Sequence, residues 1–200
     1  MWQLFKPINV ASTTRPLELL HMDLFSPSRT KSLGGNYYGL VIVDDYSRFT
    51  WTLFIVTKDN AYLAFEKFAK VIQNEKWWRI STIKSDHGGK FQNERFDKLC
   101  EKQGIKHNFS APRTPLQNGV VERKNRSLEK LARTLLNATD LPKYFWADAV
   151  STICYVLNKV LIQPILKKTP CELFKGRKPN ISHLKVFGCK CFIYTMGKIT

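Results

Sequence analysis

The order of its hydrophobic periodicities restricts this chain more than any other feature. Three strand-type segments succeed one another before any helix-type segment appears, and helix and strand then alternate. From Leu17 the pattern is that of a strand, with Leu20, Met22 and Leu24 alternating with His21 and Asp23. Further strands are predicted over residues 38–43 and 49–56, joined by the polar run Asp44-Asp45-Tyr46-Ser47. An amphipathic helix fits residues 60–74, with Ala61, Phe65, Phe68 and Ile72 on one stripe. A strand over 80–85, a helix over 93–103 stopped by Gly104, and a strand over 106–110 complete the series. The expected class is therefore α/β, a mixed five-stranded sheet flanked by helices on both faces.

The remainder is mostly helical. A long helix is predicted over residues 119–137 and another over 142–160, the latter opening on a proline. Thr169-Pro170-Cys171-Glu172 has the pattern of a capping box, and a last strand is expected over 186–194, with Cys189 and Cys191 packed in the core. The chain thus divides into an extended lead-in (1–16), a core domain (17–140) and an α-rich C-terminal extension (141–200) ending in that strand. The most membrane-like stretch, 144–162, is interrupted by Asp148, Asn158 and Lys159, so no membrane partner is expected. Five cysteines without a CxxC pair, and no secretory signal, point to a reducing compartment.

Charge indicates the partner. Thirty-two Lys and Arg face 16 Asp and Glu, a formal net charge of +16. The excess is +4 over residues 1–100 and +12 over 101–200, so a polyanion, most simply a nucleic acid, would be met mainly by the second half. The long helix has two faces. On stepping about 100° per residue, Arg126, Lys130 and Arg133 fall beside Glu122. Val121, Leu128, Leu131, Ala132 and Leu135 fall opposite, toward the sheet. That basic face suits DNA phosphates, although charged helix faces are as often merely solvated. Tyr37, Trp77 and Trp78 are expected to pack in the core or at its rim rather than stack on bases.

Three carboxylates sit where an acid needs a reason. Asp23 lies within the first strand, Asp86 ends the fourth just before Gly88-Gly89, and Glu122 opens the long helix. If the first and fourth strands are neighbours, the three can converge. Converging carboxylates suit two hard divalent ions and phosphodiester displacement. Asp44 and Asp45, by contrast, read as turn formers.

The residues of these segments are similar to a known family. Residues 17–25 (LELLHMDLF), 38–51 (YGLVIVDDYSRFTW), 85–91 (SDHGGKF), 107–126 (HNFSAPRTPLQNGVVERKNR), 141–146 (LPKYFW) and 185–192 (KVFGCKCF) closely resemble the integrase core of copia-type LTR retrotransposons. The resemblance spans about residues 16–194. It implies a ribonuclease-H-like fold and an Asp–Asp–Glu site at Asp23, Asp86 and Glu122. Those acids would hold two Mg²⁺ (or Mn²⁺) for trimming cDNA ends and joining their 3′-hydroxyls to target DNA. It also implies that the loop 112–119 borders the site. The DNA-contact candidates are then Lys90, Arg113, Gln117, Asn118, Arg123, Arg126, Lys130 and Arg133. Double-stranded DNA, a homo-oligomer and action in the nucleus follow from the same likeness.

The chain departs from that pattern in three places. Residues 1–16 contain no His or Cys of a zinc module, Lys90 replaces the acid of SDxGGEF, and Leu116 replaces a polar residue of TPQQNG. These departures suggest a fragment or truncated copy of a retroelement. They leave two alternatives beside an active integrase core, a relic that only binds DNA and a related nuclease that cuts without joining.

Overall fold

Alternate side chains of the first strand, β1 (Leu19–Phe25), enter two different cores, and the fold is built around that division. The structure, a computed structural model, describes residues 13–26, 29–86, 91–109 and 118–191. β1 pairs antiparallel with β2 (Tyr38–Asp44), which pairs antiparallel with β3 (Thr50–Ile55). Helix α1 (Ala61–Lys76) crosses to β4 (Thr82–Ser85), parallel to β1. Helix α2 (Glu94–Gln103) leads to β5 (Lys106–Phe109), parallel to β4. The strand order β3-β2-β1-β4-β5 is the mixed five-stranded sheet expected from the sequence. Helices α3 (Gly119–Thr139), α4 (Trp146–Val160) and α5 (Pro170–Lys175) follow.

Leu20, Met22 and Leu24 of β1, with Leu40 and Ile42 of β2, pack against Phe65, Phe68 and Ile72 of α1 and Phe96 and Leu99 of α2. On the other face Phe25, Val41 and Val43 meet Val121, Leu128 and Leu136 of α3 and Trp146 and Val150 of α4. His21 and Asp23 share the parity of Phe25 and so lie on the α3 face.

Acids and amides fix the corners. Asp44 is fully buried. Its Oδ1 accepts from the Leu17 amide (2.8 Å), and its Oδ2 accepts from the Ser47 amide (2.8 Å) and hydroxyl. Burial raises its pKa, opposed by the two Ser47 bonds. Asp45 Oδ1 takes His21 Nε2 at 2.9 Å and Arg48 Nη1 at 3.1 Å. Both acids therefore shape the turn, as their sequence context suggested. On the open edge of β3, the Thr50 amide donates to Asn158 Oδ1 (2.9 Å), and Asn158 Nδ2 donates back to the Thr50 carbonyl (2.7 Å). One side chain thus satisfies both groups of an edge residue and locks α4 to the sheet. The capping box forms as expected at Thr169 and Glu172.

Several expectations are corrected. Residues 186–191 form a turn, not a strand, with the Cys189 amide donating to the Val186 carbonyl; residues 192–194 lie outside the described residues. Cys189 and Cys191 are exposed rather than packed in a core. The helix expected from Pro142 begins at Trp146, after a 3-10 turn at Lys143–Phe145, because Pro142 is in an extended conformation (φ −57°, ψ 147°). No helix among the described residues is long and apolar enough to cross a membrane.

Candidate active site

Parallel pairing sets the strands that lead to the first two acids side by side. Leu20 pairs with Ile83 and His21 with Lys84; Asp23 lies two residues beyond His21 in β1, and Asp86 immediately follows the end of β4. Asp23 lies on the α3 face. The expectation that the first and fourth strands are neighbours is met.

Asp23 is held at both oxygens. Its Oδ1 accepts from the Leu24 amide (2.8 Å), and its Oδ2 accepts from Asn125 Nδ2 (2.9 Å). Asn125 is a site residue the sequence reading passed over. The available signal was a polar side chain within the apolar stripe of α3, between Val121 and Leu128. Glu122 is in the first turn of α3, three residues before Asn125 and hence its helix neighbour. Glu129 is one turn beyond Asn125. Burial raises its carboxyl pKa, Arg133 lowers it and the Asp23 charge raises it again. The helix therefore brackets Asp23 with an acid on either side of Asn125. Among the described residues no three Asp, Glu, His or Cys form one metal-holding group.

Helix α3 is rotated relative to the expected face. Its buried side chains include Val121, Asn125, Leu128, Ala132 and Leu136, whereas Leu131 is 38% exposed. The turn toward Asp23 places Asn125 inward and leaves Arg123, Arg126, Lys130 and Arg133 exposed, where phosphates can reach them. Lys124 is less accessible, and burial lowers its pKa. Asn118 precedes α3 at only 2% exposure, and its side-chain Oδ1 and Nδ2 are buried without a hydrogen-bond partner among the described residues. Lys90, Arg113 and Gln117 lie outside the described residues.

A cleft of about 390 Å³ continues from Glu129 along α3, lined by Arg133, Asn137, Lys143 and Trp146. At the other side of the site Ser85 Oγ lies 2.9 Å from His107 Nε2. Burial holds the His107 ring down to a pKa of about 4, with Asp97 opposing weakly, so the ring is neutral near pH 7. The aromatic expectation fails at α1. Trp77 is 93% exposed and packs neither in the core nor at its rim, whereas Trp78 (42%) and Tyr37 (38%) keep the partial burial of rim positions.

Residues 13–115 match the integrase core domain family. The chain is 36% identical over 178 residues to the retrovirus-related Pol polyprotein from transposon TNT 1-94 of Nicotiana tabacum, covering 89% of this chain and 13% of that protein. It is 34% identical over 181 residues to the Pol polyprotein from transposon RE2 of Arabidopsis thaliana, covering 90% and 12%. Among solved structures, a simian T-cell lymphotropic virus intasome bound to a phosphatase regulatory subunit is similar at TM-score 0.65 and 20% identity, covering 91% of this chain and 61% of that one. The HTLV-2 integrase catalytic core domain in complex with magnesium is similar at TM-score 0.59 and 20% identity, covering 80% and 97%. The fold is thus that of retroviral integrase cores, the ribonuclease-H-like fold.

Proposed function

This chain belongs to the integrase core domain family, and on that premise we propose that it carries out phosphodiester transfer on DNA, with Asp23, Asp86 and Glu122 as the reacting carboxylates. The observation that supports the reading is the parallel pairing of β1, which carries Asp23, with β4, which ends immediately before Asp86, together with the bond from Asn125 of α3 to Asp23. Three carboxylates without Cys or His are a donor set for hard divalent ions. Asp23 and Asp86 would hold Mg²⁺ or Mn²⁺, two ions in all, with Glu122 completing the set from α3. Bound there, such ions activate an attacking oxygen and neutralise charge on the phosphate.

The chain's own residues do the rest. Asn125 fixes the tilt of the Asp23 carboxylate, and Glu122 enters from the helix turn that Asn125 anchors. Arg123, Arg126, Lys130 and Arg133 take the DNA backbone and set the scissile phosphate against the acids. Lys90, Arg113 and Gln117 join them by sequence motif. The HTLV-2 core was solved with magnesium and in dimeric and trimeric forms, and the simian virus protein in an intasome. By that likeness the substrates are element cDNA ends and target duplex, the working form is a homo-oligomer, and the nucleus is where it acts.

Mn²⁺-dependent disintegration of a branched DNA tests the proposal. Wild type resolves the branch. Asp86→Asn and Glu122→Gln lose about 100-fold or more, as expected for groups that hold several kcal/mol of charge stabilisation. Equal turnover by Asp86→Asn would falsify the proposal. The reading of a DNA-binding relic rests on Lys90 and Leu116; a folded, DNA-binding but inert wild type would favour it. Joined rather than merely cut product separates an integrase from a nuclease.

A further inference from the structure

The basic run at residues 175–178 takes no part in the acid site, yet it forms a wall of a cleft of about 410 Å³ between α4 and α5. The floor of this cleft is built. Buried Asn158 is fixed to Thr50 by two hydrogen bonds, and buried Cys171 and the Phe49 ring lie beside it. The far wall is the strap 177–183. Lys159 Nζ donates to the Asn180 carbonyl at 3.2 Å and to the Tyr155 hydroxyl, which itself lies 2.8 Å from His183 Nε2. These bonds tie the strap to α4. At the end of α5, Gly176 (φ 72°) reverses the chain and donates its amide to the Glu172 carbonyl at 2.9 Å.

Charge identifies what the cleft fits. Lys159, Lys175, Arg177 and Lys178 line it, and no acid does. The nearest acids are occupied elsewhere. Glu75 reaches Lys175 at 4.0 Å from outside the cleft, and Glu172 is bound into its capping box by the Thr169 amide (2.9 Å) and hydroxyl (2.8 Å). The Glu172 carboxyl is held below its ordinary range by those bonds, with a lesser pull from Lys178. Neither Arg177 nor Lys178 has an ion pair among the described residues. Clustered cations with Tyr, His and Asn at hand are the chemistry of a phosphodiester backbone.

Position makes this a separate contact. Thr50 begins β3 at the end of the sheet where β1 begins, whereas Asp86 follows the opposite end of β4. We propose that the cleft between α4, α5 and residues 177–183 is a second, sequence-independent site for the DNA backbone, lined by none of the three acids, with Arg177 and Lys178 as its phosphate ligands. The inference rests on the DNA reading above.

The test is duplex binding in EDTA, across roughly 50–200 mM salt, so that it is independent of turnover. Wild type is compared with the double variant Arg177→Gln/Lys178→Gln, both positions exposed, and with Lys98→Gln, a charge control on α2. Each lost phosphate contact lowers the slope of log affinity against log salt by about 0.9, so the double variant loses about 1.8. Lys98→Gln and the thermal midpoints stay unchanged. An unchanged slope in the double variant overturns the site, as does an equal effect of Lys98→Gln. Saturable pyrophosphate binding that needs Arg177 and Lys178, with an unchanged duplex slope, also overturns it and leaves a small phosphate ligand. A wild type that binds no DNA overturns the site and the DNA reading together.

Discussion

Asp23 and Asp44 are both aspartates in strands, and their oxygens separate their roles. Asp44 gives its carboxylate to Leu17 and Ser47 inside the fold, where burial raises its pKa. Asp23 is only partly buried, and its two oxygens accept from the Leu24 amide and from Asn125 Nδ2 at the face that α3 covers. The Asn125 donor is therefore a positioning contact. Replacing Asn125 with Ala removes it and frees the carboxylate to turn. The expected result is a roughly 10–100-fold loss of disintegration activity and a higher Mn²⁺ requirement for half-maximal rate. The thermal midpoint should change little, because Asn125 Oδ1 is itself buried without a partner. A rate loss with no shift in Mn²⁺ dependence would show that Asn125 acts only on the fold.

At the scale of the element, α1 ends against its residue preference. Its C-cap Trp77 has φ 57° and ψ 16°, the left-handed conformation that ordinarily takes glycine. The indole does not recover the cost by packing, since it is almost wholly exposed. A left-handed non-glycine residue costs about 1–2 kcal/mol, and Trp77→Gly should recover about 1 kcal/mol of it after the unfolded-state entropy of glycine. A rise in the urea midpoint at constant m-value would verify this, and a fall would mean that Trp77 has a packing partner. The contrasting case is α5, where Thr169, Pro170 and Gly176 each suit their positions and the helix starts and stops where its sequence directs.

For the whole molecule, stability should depend on pH through His107. The ring is enclosed by Phe96 and Phe109, at centroid distances of 5.2 and 4.1 Å, and burial depresses its pKa from 6.5 to about 4. A base with a depressed folded pKa binds more protons unfolded than folded within that window. Stability is then full above pH 6.5 and falls as the pH drops toward 4. Asp44, with its pKa raised above 3.8, contributes in the opposite sense, its share of stability falling as the pH rises above that value. The His107 part is isolated by comparing wild type with His107→Gln in urea melts at pH 7.5 and 5. The wild type should lose more stability than the variant between those two conditions; equal losses would rule His107 out.

Local periodicity decided the elements. Alternation in β1, the stripe on α1, the capping box of α5 and the order of strands and helices were legible because each depends on residues a few positions apart. The sequence motifs also marked Asp23, Asp86 and Glu122 as candidates and the chain as integrase-like. Tertiary structure decided what depends on distant partners. Parallel register, set by backbone hydrogen bonds between β1 and β4, makes neighbours of the strand that carries Asp23 and the strand that ends just before Asp86. Packing of α3 against both the sheet and α4 fixes its rotation, which turns Asn125 inward and Leu131 outward. Periodicity gives the angles between side chains around a helix but not which angle meets the sheet. The cleft beside Arg177 and Lys178 exists only because Asn158 and Lys159 of α4 bond to segments far along the chain, and no pattern within a single element encodes such a meeting.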